Sequence, residues 1–153
     1  MFLSRTRASP VEIYYLPYGP ASLPPEFLRL ICDHISHCVH ICIRQAYPSY
    51  LSIVLEGLSR SQAPMLRSID LGITRNFYPP EPVFNAHLPP IWAPLLTIAH
   101  LTWIQASDLP FCLPAFENVT SLNLTDLYIN DKEEKECASF RDTLMAMPAL
   151  YYL

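Results

Sequence analysis

Glycine is the first thing this chain lacks. Its three glycines, Gly19, Gly57 and Gly72, are scattered singly through 153 residues. Phosphate-cradling loops, dinucleotide fingerprints and nucleophile elbows need glycines at close spacing, so those enzyme classes are excluded. Charge is also sparse, at 16% of residues with a net charge of −4. No basic stripe is present, and a nucleic-acid partner is not expected. No uninterrupted apolar run of about 18 residues exists, so no membrane span is expected. The most apolar region, Leu88 to Ile104, is broken by Pro89, Pro90, Pro94 and His100. The N-terminus has no apolar signal core. With five cysteines and no secretory signal, reduced thiols and a cytoplasmic or nuclear location are the expectation. The sequons at Asn118 and Asn123 are then without consequence.

Hydrophobic residues, by contrast, make up 51% of the chain, enough for a core in one domain spanning 1–153. The sixteen prolines imply many rigid connectors between short elements. Helical spacing of apolar residues marks Pro25 to His37, Tyr50 to Arg60 and Glu133 to Met147. The proline-broken segments 77–90 and 106–114 allow short helices or 3₁₀ turns at best.

An internal similarity organises the rest. Ala63-Pro64-Met65-Leu66-Arg67-Ser68-Ile69-Asp70-Leu71 and Ala93-Pro94-Leu95-Leu96-Thr97-Ile98-Ala99-His100-Leu101 share the pattern A-P-x-L-x-x-[apolar]-x-L. Shorter copies are Val119 to Leu124 and Cys38 to Ile43, and another begins at Leu150 to Leu153. The markers Val11, Ile41, Ile69, Ala99, Leu122 and Leu153 are spaced 23 to 31 residues apart. This implies about five units with strand cores near 11–13, 41–43, 69–71, 99–101 and 122–124, and a further one starting at 150–153. Alternating apolar residues in each core would stack into a parallel ladder. The expected fold is therefore α/β: an irregular, leucine-rich-repeat-like right-handed solenoid, with a short-stranded parallel sheet on one face and helices or turns on the other. The position of the usual ladder Asn or Cys holds Ala46, Thr74, Ile104 and Leu127.

Local strings add a resemblance. Arg7-Ala8-Ser9-Pro10-Val11-Glu12-Ile13, the segment Leu58 to Leu71, and Leu144-Met145-Ala146-Met147-Pro148-Ala149-Leu150 resemble the leucine-rich-repeat region of F-box-like proteins of mushroom-forming fungi. That resemblance implies a protein-recognition module that selects substrates for an F-box-type ubiquitin ligase. Its partners would be proteins, with the ligase adaptor held through an F-box outside this chain. Two alternatives remain open. Leu23-Pro24-Pro25-Glu26-Phe27 opens like an F-box that would extend through Ile35, and the chain could be an orphan repeat fragment.

In a parallel ladder, the residues between core positions face away from the core. His40, Cys42, Ser68, Asp70, His100, Thr102, Ser121 and Asn123 form this candidate partner-binding face. No catalytic residue, cofactor or metal ligand stands out, and the chain is not expected to be an enzyme. The segment "ICDHISHCVHICI" at 31–43 holds three Cys and three His but no zinc spacing. It reads as a helix closing at His37, followed by a strand whose core positions are Cys38, Ile41 and Ile43.

Overall fold

The computed structural model describes residues 9–16, 25–74, 92–129 and 134–153. Expectations for Arg7, Leu23, the segment 77–90 and Glu133 fall outside them. The described residues form five strands: β1 (Val11–Tyr15), β2 (Cys38–Ala46), β3 (Ser68–Ile73), β4 (Ile98–Thr102) and β5 (Ser121–Thr125). They form one sheet in the order β1-β2-β3-β4-β5, and every neighbouring pair is parallel. Three α-helices accompany the sheet: α1 (Pro25–His34), α2 (Pro48–Ser61) and α3 (Glu134–Met145). Two 3₁₀ segments, Ile35–His37 and Ala106–Ala115, complete the described elements.

Period-two alternation explains the sheet. Ile13, Ile41, Ile69, Ala99 and Leu122 sit side by side across the strands, and so do Tyr15, Ile43, Leu71, Leu101 and Leu124. Most of these are buried, and they share one core cluster with Ile31 and Ile35 and with the inner face of α2. That inner face is Leu51, Val54, Leu55 and Leu58, spaced by three and four residues and each about 1% exposed. Each fully buried Ile or Leu contributes roughly 1.5–3 kcal/mol relative to solvent exposure. Sequential parallel strands joined by right-handed crossovers place their connections on the same side of the sheet. Helix α1 meets α2 closely at Gly57, where an added Cβ would lie 3.0 Å from Cys32 Sγ.

The A-P-x-L strings form tight turns. Leu66 N–H donates to the Ala63 carbonyl at 3.2 Å, and Leu96 N–H to the Ala93 carbonyl at 3.0 Å. Val119 to Phe116 and Leu150 to Met147 repeat the bond. The first residue of each turn is buried, as is the fourth in all but the last. At the other end of the strands the chain kinks. Gln45, Trp103 and Asp126, each following the last open-face residue of its strand, take φ between 55° and 59°. Within β2 this inserts a bulge, with Ile43 opposite Leu71 but Ala46 opposite Ile73. The next residue, Ala46 or Ile104, returns to the core.

This arrangement corrects the expected fold. The chain forms a single continuous five-stranded parallel sheet with few helices, not a repetitive leucine-rich-repeat solenoid. The connections described are not copies of one unit: a ten-residue α-helix, a fourteen-residue α-helix and a ten-residue 3₁₀ segment. The A-P-x-L pattern encodes a turn leading into a strand, and it carries no instruction for the return path that would make a repeat. An all-parallel sheet flanked by helices is shared with the doubly wound α/β folds, although the strand order here is sequential. The resemblance to the repeat region of fungal F-box-like proteins falls with the solenoid. The F-box alternative at Leu23 to Ile35 is corrected too. Helix α1 passes through one 3₁₀ turn directly into strand β2, where an F-box would continue into further helices.

Candidate functional site: the open face of the sheet

The second face of the sheet carries the other half of the alternation, and no described helix packs on it. Two rows run across it in register. One is Glu12, His40, Ser68, Ile98 and Ser121; the next is Tyr14, Cys42, Asp70, His100 and Asn123. Gly72, Thr102 and Thr125 follow on β3 to β5. The eight residues of the candidate face, His40, Cys42, Ser68, Asp70, His100, Thr102, Ser121 and Asn123, thus lie on these rows. They are not equally presented. Asn123 is exposed, whereas Cys42 and Asp70 are buried among their neighbours at 4% and 8% exposure.

Asp70 is the electrostatic centre. Its carboxylate accepts from Arg44 Nε at 3.0–3.1 Å and from the same guanidinium's terminal nitrogen, a forked geometry that favours Arg over Lys. These bonds to Asp70 push the Arg44 pKa above its ordinary value. On the other side His100 Nδ1 stands 3.6 Å from Asp70, and His100 Nε2 meets Thr125 Oγ1 at 3.2 Å. Burial raises the pKa of the Cys42 thiol, and the neighbouring Asp70 charge raises it further. A thiol held protonated is a poor nucleophile, so Cys42 acts as packing.

One strand row away the face hollows into a cleft of about 500 Å³, lined by Pro10, Glu12, Tyr14, His40, Arg67 and Ser68, among others. The Tyr14 and His40 rings sit 5.0 Å apart at 45°. Tyr14 hydroxyl donates to Glu12 at 3.0 Å, and that bond is the main reason its pKa rises. His40 Nδ1 lies 2.5 Å from Ser68 Oγ. A hydroxyl touching an imidazole is the contact a nucleophile and base make. The backbone beside it offers little to an oxyanion, however: Arg67 N–H is spent on the Val39 carbonyl at 2.9 Å within the sheet ladder. The Arg67 side chain is exposed and has no hydrogen-bond or ion-pair partner among the described residues.

Tyr14, Arg44 and Arg67 were missing from the candidate face read from sequence. The signal for Arg44 was present, since it has the parity of His40 and Cys42, but the strand was ended at Ile43. Tyr14 shares the parity of Glu12. Arg67 precedes its strand, where alternation says nothing. Among the described residues no group of three or more His, Cys, Asp or Glu could hold a metal ion. Cys32, Cys38, Cys42 and Cys137 are free thiols. No helix is long and apolar enough to cross a membrane among the described residues.

A scan against protein families, a search of curated proteins and a search of solved structures each found nothing that matches this chain. What the structure defines is therefore a class, a small α/β domain with one sheet face that no described helix covers. The substrate-selecting role in an F-box-type ubiquitin ligase is withdrawn. It required a repeat architecture that the single sheet replaces, and no such family matches.

Proposed function

We propose that this is a non-catalytic binding domain that takes an acidic polypeptide segment across the cleft on the open sheet face. The observation that carries the proposal is the composition of that cleft. An aromatic pair, Tyr14 on His40, lies beside the Arg67 guanidinium, which has no partner among the described residues, in a hollow of about 500 Å³. Tyr and Arg are the residues most often found at energetic centres of protein interfaces, because each buries a large surface at a polar tip. Among the described residues lining the cleft, the one acidic side chain, Glu12, is engaged by the Tyr14 hydroxyl, which leaves Arg67 as the uncommitted charge. The chain's net charge of −4 does not oppose this at short range, since screening confines such interactions to about 8 Å at physiological salt. The commitment of the Arg67 N–H beside Ser68 to the sheet ladder supports a binding role over hydrolysis.

The test is fluorescence anisotropy with a short labelled peptide rich in Glu and Tyr, against a Lys-rich control. Selective, salt-sensitive binding that weakens by about tenfold or more in Arg67→Glu, and also weakens in Tyr14→Ala, is the expected result. Equal binding of both peptides, or indifference to Arg67→Glu, refutes it. Covalent labelling of Ser68 by a fluorophosphonate probe, lost in Ser68→Ala, would establish the hydrolytic alternative instead.

A further inference from the structure

The junction of α1 and β2 lies away from the open face and is not used by the proposed binding. There His34 Nδ1 and His37 Nε2 are 2.9 Å apart, with ring planes at 87° and centroids 5.0 Å apart. The spacing of three residues brings them together: His34 ends the α-helix and His37 ends the 3₁₀ turn that follows. Both rings are half-buried at the surface and accept solvent on one side. Their neighbour Asp33 is directed elsewhere, 3.8 Å from Arg29. Cys32 Sγ faces Gly57.

We propose that His34 and His37 form a two-histidine chelating site for a divalent transition metal that prefers right-angled ligands, Ni(II) or Cu(II). The distance carries the argument. Two imidazole nitrogens 2.9 Å apart, each about 2.05 Å from one ion, subtend about 90° at the metal. That is the angle between neighbouring ligands in square-planar and octahedral sites, and it is narrower than the tetrahedral angle zinc adopts in structural sites. Water fills the remaining positions. In the metal-free pair, one of the facing nitrogens carries a proton and donates it to the other. Metal entry moves that proton to the far nitrogen of the same ring, so both facing lone pairs become free with no net change in charge. Each ring then tilts by about 45° off the hydrogen-bond axis with its facing nitrogen kept near its present place, so that the two lone pairs converge on the ion at the right angle the 2.9 Å separation sets. No redox step is involved. Imidazole is a ligand suited to both metals.

The probe is Ni(II), which avoids oxidising the exposed Cys137 thiol, titrated calorimetrically into the full chain under reducing conditions. One ion is expected to bind per chain. His34→Gln and His37→Gln should each weaken binding by about tenfold or more, as a two-point attachment becomes one-point. Both variants lie at the surface and keep the native circular dichroism. His100→Gln should bind as the parent does. Weakened binding in both His34→Gln and His37→Gln, with no change in His100→Gln, supports the site. Absence of Ni(II) binding, or binding that survives both single substitutions, overturns it.

Discussion

Cys38 begins the inner strand β2 with no exposed surface, and its Sγ donates to the His40 carbonyl at 3.1 Å. Burial pushes its pKa from 9.0 up to about 11, with the backbone bonds only partly offsetting that rise. The folded state therefore holds the thiol proton more tightly than the unfolded chain does. Its contribution to stability is complete below pH 9 and is lost as the pH climbs from 9 to about 11. One pKa unit corresponds to about 1.36 kcal/mol, so the loss across that window is of order 2.7 kcal/mol. Replacing Cys38 by Ala abolishes the titration and removes a buried sulfur, at a cost of about 1–2 kcal/mol at neutral pH. The two proteins should thus differ by that amount at pH 7, converge near pH 10, and reverse order above it. Urea unfolding followed by circular dichroism, in reductant, at several pH values measures the difference directly. The thiols of Cys32 and Cys42, also raised by burial, are common to both proteins and cancel. A constant gap between the two stability curves from pH 7 to pH 11 refutes the reasoning, because it shows that the buried thiol does not resist ionisation.

Two further outcomes follow from geometry. Asp70→Asn leaves the Arg44 guanidinium facing a neutral amide across the centre of the open face. It should cost about 1–2 kcal/mol, less than a buried pair because Arg44 is half-exposed, and the midpoint of urea unfolding should fall with an unchanged slope. A loss below a few tenths of a kcal/mol would mean that the pair is decorative. Gln62 ends α2 at φ 54° and ψ 143°, a backbone region essentially restricted to glycine. Gln62→Gly should therefore raise stability by about 1 kcal/mol, seen as a higher melting temperature, and a drop would show that the Gln62 side chain holds something worth more than its strain.

Much of the sheet's alternation can be read in the sequence. Ile41, Ile69, Ala99 and Leu122 fall opposite one another because a period of two, once anchored by a tight turn, leaves little freedom in register. The reading failed where sequence carries no long-range information. The turn strings at Ala63 and Ala93 look like repeats because the same local physics starts two strands, yet the connections between the strands differ in kind. The cleft was invisible for a similar reason. Glu12, His40 and Ser68 come from three strands, and only their register brings them into one row. Arg44 was missed because a left-handed residue, Gln45, interrupts the alternation just beyond it.

The order β1-β2-β3-β4-β5 has a kinetic consequence. Each strand pairs only with the strands before and after it in the chain. The bonds between neighbours span 28 residues from His40 to Ser68, 26 from Arg44 to Asp70, 30 from Arg67 to Thr97 and 24 from Pro94 to Asn118. No early strand waits for a partner from the far end. Closing each such loop costs entropy that grows only with the logarithm of its length, about 0.6 kcal/mol per doubling. The sheet can thus grow from one edge as the chain leaves the ribosome, each strand offering its free side as the template for the next.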